Sequence, residues 1–387
     1  MRSYPLLFAL LLQLASVAQP FAIGERTITF YDAARDRDVP TLVRYPAVAA
    51  GANAEVAAGT FPVLVVGHGF VMTTAAYGNI TDHFVPLGYI VALPTTEGGF
   101  APSHGAFGAD LAFLAQAIQD AGAESGGAFE GHVLPATALM GHSMGGGAAM
   151  LAAASNTVQA VVLLAPAETN PSAVAAAASV QVPTLVFAAS EDCVTPIAAH
   201  QGPMYAALGS PCKAFVNIQG GGHCYFANDN FNCSFGEFTC GPDLTIDRAQ
   251  QHALVNTFAT PWLAHHLLGE GGALNTFLGL VAEPVGVEAE SDCLSTGVTV
   301  AAARSWSGCT TLADEVLTVW SDRPVREAFI LDAAGRREVR VGAWQGQTTV
   351  AVGRLAGGQY LFVVEAVDGT HAVHRFVRAA AGPARDR

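Results

Sequence analysis

Ser143 stands between two glycines in Gly141-His142-Ser143-Met144-Gly145, with the apolar run ATALM before it and the small-residue run GGGAAMLAAA after it. Glycines on both sides suit a strand-to-helix turn too tight for a Cβ, and such a turn lifts a serine hydroxyl out of the sheet edge. The pentapeptide alone also fits a glycine-rich helix start with an idle serine. A serine hydroxyl attacks a carbonyl carbon only when a base takes its proton and an acid holds that base. Both groups follow in the order that this turn requires. VPTLVFAASEDCVTP sets Asp192 just beyond an apolar run, with Glu191 beside it as the rival acid; the proline that commonly follows the acid, here Pro196, lies nearer Asp192. KAFVNIQGGGHCYF sets His223 in a glycine-rich loop after the next run. The remaining need is a pair of fixed N–H donors for the developing oxyanion. Met144, next after the serine, offers one; VVGHGFVMTTAAY offers Gly69 and Phe70, and Phe70 is preferred as the residue that follows His-Gly in such a loop. Other histidines have structural readings: His142 fills the variable position of the turn, His252 is a capping or packing residue, and His265 and His266 lie on a helix surface.

These groups need a sheet that brings its strand ends to one edge. FPVLVVGHG, GYIVALP, ATALMGHS, VQAVVLLAP, VPTLVFAAS and CKAFVNI are short continuous apolar runs, the pattern of strands buried on both faces. Helical stretches such as GADLAFLAQAIQDA and GGGAAMLAAAS lie between them, and RAQQHALVNTFATPWLAHHLL reads as a closing helix. The expected fold class is therefore α/β, a mostly parallel central sheet with helices on both faces, preceded by an antiparallel hairpin from RTITFYDA and DVPTLVRYPA. Ligands of such sheets bind at the carboxyl ends of the strands, where Ser143, Asp192, His223 and Phe70 all fall. About fifteen residues separate Pro166 from the next strand, too few for a cap domain, so an open cleft is expected. Domain boundaries are expected at 25–282 for this unit, 283–310 for a linker of little periodicity, and 311–387 for a small all-β domain built from EVLTVWSD, REAFILDAAGR, REVRVGAW, TTVAVGRL, GQYLFVVEAVDG and HAVHRFVRA.

Residues 1–18 combine one basic residue, Arg2, with a short apolar run and small residues before Gln19, which predicts a secretory signal peptide and an exported protein. All seven cysteines lie between Cys193 and Cys309, which in an exported chain predicts disulfides and one unpaired or outward-bridging thiol. Cys233 with Cys240, and Cys293 with Cys309, are pairs that could close short loops. No Cys-x-x-Cys pair with matching histidines points to a metal. The net charge is −14, and before Thr311 eight basic residues face 23 acidic ones, so nucleic acid is excluded as a partner.

With Ser143, Asp192, His223 and the His68-Gly69-Phe70 loop in place, the chain resembles the α/β-hydrolase superfamily. The GHSMGGG turn and the spacing of acid and base look most like its chlorophyllase, dienelactone-hydrolase-like and cutinase or polyester-hydrolase group. The resemblance implies Ser143 as nucleophile, His223 as base, Asp192 as orienting acid, and Phe70 with Met144 as oxyanion hole. It further implies a secreted serine carboxylesterase, monomeric and free of cofactor or metal, acting on small or polymeric esters. Dienelactone hydrolases proper carry a cysteine at the position of Ser143, and polyester hydrolases a tryptophan at that of Ala167. An amidase or peptidase with the same triad, and a non-catalytic surface-binding protein on a hydrolase scaffold, are the competing expectations. The C-terminal region resembles a type IX secretion sorting domain through LAGGQYLFVVEAVDG and HRFVRA, which implies contact with secretion machinery or the cell surface; an accessory β-domain that binds polymer or cell surface is the other reading.

Overall fold

The computed structural model describes residues 20–155, 158–293, 307–310, 312–313, 315–332, 336–356, 358–368 and 371–378. The segment expected to be a signal peptide, 1–18, lies outside the described residues. Two compact units meet in sequence at Leu294/Ser295. Among the described residues no helix is long and apolar enough to cross a membrane.

The first unit opens with the expected hairpin, β1 (Ala22–Asp32) paired antiparallel to β2 (Arg37–Ala47). The charges of its turn are not left in water. Arg35 and Arg37 reach Asp110, whose side chain is fully buried, at 2.7 and 2.8 Å. A carboxylate out of water needs such partners, so the turn is pinned to the helix that carries Asp110. After the two-residue β3 (Gly51–Ala52) come β4 (Phe61–Gly67), β5 (Ile90–Pro94), β6 (Val133–His142), β7 (Ala160–Leu164), β8 (Thr184–Ala189) and β9 (Lys213–Ile218), the six apolar runs in order. They stand side by side in a ten-stranded sheet ordered β10-β9-β8-β7-β6-β4-β5-β2-β1-β3, where β10 is Val287–Ser291. Pairing is parallel from β5 through β9 and antiparallel where β2 and β10 join.

Alternate residues of a strand face opposite ways, so a run apolar at every position feeds two cores. Val63 and Val65 enter one, with α2 (His104–Ala123) and α3 (Met144–Ala153); Leu64 and Val66 enter the other, with α1 (Gly78–Phe84), α7 (Arg248–Leu268) and α8 (Gly271–Ala282). Trp262 of α7 is wholly buried in the second core, its ring 4.9 Å from that of Phe277. Asp247 and Gln250 close a reciprocal cap at the start of α7, and Gly269 ends it at φ 68°. Between β7 and β8 the chain makes only α4 (Ala173–Ala177), which leaves no cap domain there. Two shorter helices follow, α5 (Gln201–Ala207) after β8 and α6 (Phe231–Phe238) after β9.

Two expectations are corrected. The stretch after 283, read as lacking regular structure, contributes β10: Val-Glu-Ala-Glu-Ser alternates and completes the sheet beside β9. The cysteine pairs are Cys193–Cys240, Cys212–Cys293 and Cys224–Cys233, and Cys309 is a free, buried thiol pushed up to about 12 by desolvation. Cys233 lies in α6 and Cys240 in the turn that follows its last residue, Phe238; a helical rise of 1.5 Å per residue already carries the chain about 7.5 Å from Cys233 to Phe238, and the turn leads further from it. A disulfide spans Cα atoms no more than about 7 Å apart, so each cysteine bonds a neighbour across the fold.

The second unit is a β-domain. Its described strands are β11 (Ser307–Cys309), β12 (Leu312–Ala313), β13 (Val316–Leu331), β14 (Arg337–Val341), β15 (Trp344–Ala351), β16 (Gly358–Ala366) and β17 (His371–Arg378). They pair antiparallel except for β12, which lies parallel to β17. EVLTVWSD and REAFIL, expected as two strands, are one: β13 carries Pro324 through irregularities at Ser321/Val325 and Val325/Glu327, changing partner from β15 to β16. A proline has no N–H for the ladder and is tolerated at such an irregularity.

Candidate active site

Ser143 sits at the join of β6 and α3 with φ 56° and ψ −120°, outside the helical and extended regions. Strain of this kind costs about 1–3 kcal/mol and persists only when the surroundings enforce it. Here they do. The Ser143 N–H donates to the Leu164 carbonyl at 3.0 Å, and its own carbonyl accepts from Gly146, Gly147 and Ala167 at 2.9, 3.1 and 2.9 Å. A Cβ on Gly141 would overlap the Gly145 carbonyl, and one on Gly145 would overlap the carbonyls of Gly67 and His68. The glycines therefore let the turn close on itself and on the end of β4.

The three expected side chains form one line. His223 Nε2 lies 2.9 Å from Ser143 Oγ, and His223 Nδ1 lies 2.7 Å from Asp192 Oδ2. All three residues are buried. Glu191, the rival acid, faces elsewhere and accepts from the Ser190 hydroxyl at 3.1 Å. Asp192 is oriented by its own turn: Oδ1 accepts the N–H groups of Val194 and Thr195 at 3.0 and 2.7 Å. This side-chain turn is a habit of aspartate, and it aims the other oxygen at the imidazole.

Thr195 is a member that the sequence reading missed. Its hydroxyl lies 2.8 Å from Asp192 Oδ2 and 3.0 Å from His223 Nδ1, and it accepts from Gln201 Nε2 at 3.0 Å. A hydroxyl has one hydrogen and two lone pairs. It donates to Asp192 Oδ2, the nearer of its two acceptors, with the Ala165 carbonyl at 3.3 Å, and it accepts from Gln201; the single His223 Nδ1–H points chiefly at Asp192, with the Thr195 oxygen beside it. The signal was present as Asp-x-x-Thr, the spacing at which an aspartate turn returns a hydroxyl to its own carboxylate.

His142 also has a definite place. The Gly69 N–H donates to Tyr77 Oη at 2.7 Å, the Tyr77 hydroxyl donates to His142 Nδ1 at 3.0 Å, and His142 Nε2–H donates to the His223 carbonyl at 3.1 Å. This chain of donors joins the loop after β4 to the loop after β9 through the floor of the site. It also selects among the amides of the first loop. Gly69 N–H is engaged, whereas Phe70 N–H has no partner among the described residues. Met144 opens α3, so its N–H lacks an intrahelical acceptor. From α7, Gln251 grips Gly222 at both its N–H and its carbonyl, 3.0 and 2.9 Å, and so fixes the residue before His223.

Desolvation holds His142 well below its ordinary value, and the neighbouring His223 adds to the effect. Burial likewise lowers His83 and His266, each to about 4. The unfolded chain therefore binds more protons than the folded one below about pH 6.5, and stability must fall on acidification. The loss is at most about 1.4 kcal/mol per pH unit for each such histidine, over the window from 6.5 down to 4. Urea midpoints measured at pH 7.5 and pH 5 are expected to be clearly lower at pH 5; equal midpoints would contradict the burial of neutral imidazoles.

A model of the PETase family, described as PET hydrolase-like, matches residues 43–240, just over half of the 387-residue chain. Cutinase 1 of Thermobifida cellulosilytica is 36% identical over 104 residues, which cover 26% of this chain and 37% of that protein. A cutinase of Thermobifida fusca (strain YX) is also 36% identical over 104 residues, 33% of its own length. A bis(hydroxyethyl) terephthalate hydrolase of Streptomyces coelicolor is 33% identical over 103 residues, 31% of its length. These matches thus span about a third of each curated relative. The family model runs from β2 past α6 and takes in the loop after β4, the strained Ser143, Asp192 and His223, so the chain belongs to the PET hydrolase-like family.

Proposed function

We propose that the protein is a serine hydrolase that cleaves carboxylic esters through an acyl-enzyme, with Ser143 as nucleophile, His223 as general base and Asp192 as the group that orients it. One observation carries this reading: a strained serine at a strand-to-helix turn, 2.9 Å from an imidazole that is itself 2.7 Å from a buried carboxylate. Ser143 Oγ attacks the ester carbon while its proton passes to His223 Nε2, and the carbonyl π pair moves onto oxygen. The N–H groups of Phe70 and Met144 receive that oxyanion, a role supported by their lack of other acceptors among the described residues. The oxyanion collapses, the C–O bond to the alcohol breaks, and Nε2–H protonates the departing oxygen. Water then gives a proton to Nε2, adds to the acyl carbon, and releases the acid with Ser143 restored. Asp192 and Thr195 keep the Nδ1 proton in place throughout.

Three disulfides within the first unit and the likeness to cutinases support an exported enzyme. For the C-terminal β-domain we propose a secretion or cell-surface role, supported by the sorting-domain-like stretches LAGGQYLFVVEAVDG and HRFVRA, which contribute the paired terminal strands β16 and β17. The test of the catalytic reading uses the full chain with a fluorophosphonate probe and with an ester and amide that share one acyl group. Labelling of Ser143 and faster cleavage of the ester are expected. Faster cleavage of the amide would transfer the site to peptidase or amidase chemistry, and absence of labelling would end the enzymatic reading.

A further inference from the structure

Helix α6 is turned inside out. Phe231, Phe235 and Phe238 fall within about 60° of one another around a helix of 3.6 residues per turn. They are 81%, 61% and 82% exposed, and the rings of Phe231 and Phe235 stack at 6.2 Å. The opposite face carries Cys233 and the buried carboxylate of Glu237, which accepts the Cys224 N–H at 3.1 Å. A short helix gains nothing in folding by presenting three phenylalanines to water, and a contiguous exposed apolar face marks a contact. This one is held rigidly at the rim of the site. Cys224, next to His223, bonds Cys233 inside α6, and Cys193, next to Asp192, bonds Cys240 just beyond it. Asn232 donates to the Val71 carbonyl at 2.8 Å, beside Phe70, which is itself 49% exposed. The helix is thus tied to the acid loop, the base loop and the loop that offers the Phe70 amide.

We infer that α6 is a docking platform that seats the apolar surface of a condensed polyester beside Ser143, an inference that rests on the ester-hydrolase reading. Its position decides the occupant. A protein seated on this face would stand over the nucleophile, whereas the bulk phase of the substrate itself would bring its ester groups to it. Charge argues against a biological membrane: residues 224–247 hold four acidic side chains and no lysine or arginine, in a chain of net charge −14, while helices that lie on anionic lipid carry basic residues.

The experiment compares the full chain with Phe231→Ser/Phe235→Ser/Phe238→Ser and with the corresponding triple leucine variant, each checked for unchanged thermal unfolding. The ratio of poly(butylene succinate) film hydrolysis to soluble p-nitrophenyl butyrate hydrolysis is expected to fall at least tenfold in the serine variant and to stay within threefold of the parent in the leucine variant. Adsorption is read separately on a Ser143→Ala background, where film binding should persist and should be lost when the three serines are added. That arm needs no turnover, so a protein that adsorbs through α6 without cleaving esters would overturn the ester-hydrolase reading alone. A ratio changed less than twofold, equal film binding by parent and serine variant, preferential binding to phosphatidylcholine vesicles, or a dimer abolished by the serines would each overturn the platform.

Discussion

Replacing Ser143 with alanine is expected to lower ester turnover by about five to six orders of magnitude, the loss found when a triad serine is removed. Attack, acyl-enzyme formation and proton delivery all pass through Oγ, so no neighbouring group restores them. Stability should hardly move. The change deletes one hydrogen bond, to His223 at 2.9 Å, worth about 1 kcal/mol net. Alanine must still adopt φ 56°, but the bonds that impose that angle are made by the backbone N–H and carbonyl of residue 143 and survive the substitution. Purified variant and parent would be compared by p-nitrophenyl ester turnover and by thermal unfolding. Turnover within tenfold of the parent would remove Ser143 from the mechanism.

The second large effect is expected from Asp192→Asn, a loss of about ten-thousandfold in kcat with little change in fold. The geometry says why. Val194 and Thr195 both donate backbone N–H groups to Oδ1, so the amide oxygen of an asparagine must take that place and its NH2 must turn toward His223 Nδ1. Facing a donor, Nδ1 becomes the acceptor and the ring proton moves to Nε2, where it blocks transfer from Ser143. Glu191→Gln is the matched control, because among the described residues its carboxylate accepts from the Ser190 hydroxyl alone, and its kcat should stay within about twofold of the parent. Equal losses in the two variants would mean that charge near the loop, rather than the tautomer of His223, is what matters.

Both predictions concern residues that are legible in the amino-acid sequence. Ser143, Asp192 and His223 each follow a continuous apolar run, and in a parallel sheet the ends of such runs gather at one edge whatever the details of packing. Glycine around the serine recorded a close approach that the fold locates at Gly67 and His68. Asp192 and Glu191 are nearly equivalent in the sequence, since adjacent residues of a loop share the same neighbourhood. Only the backbone turn over Val194 and Thr195 separates them.

By itself, then, the sequence determined which six runs are the buried strands and which three side chains follow them at the sheet edge, because hydrophobic periodicity is a local record of which faces are buried. The order in which those strands stand side by side, and the addition of β10, came from the fold. Tertiary structure alone decided which cysteines meet, since Cys212 and Cys293 stand 81 residues apart and become partners only when β10 closes beside β9. It decided that His142, Tyr77 and Gln201 belong to the site, because their partners lie far along the chain: Tyr77 meets His142, His142 meets His223, and Gln201 meets the Pro166 carbonyl. It also decided that α6 faces outward. An amphipathic pattern shows that a helix has an apolar side, and only the disulfides to Cys224 and Cys193 fix which side is given to water.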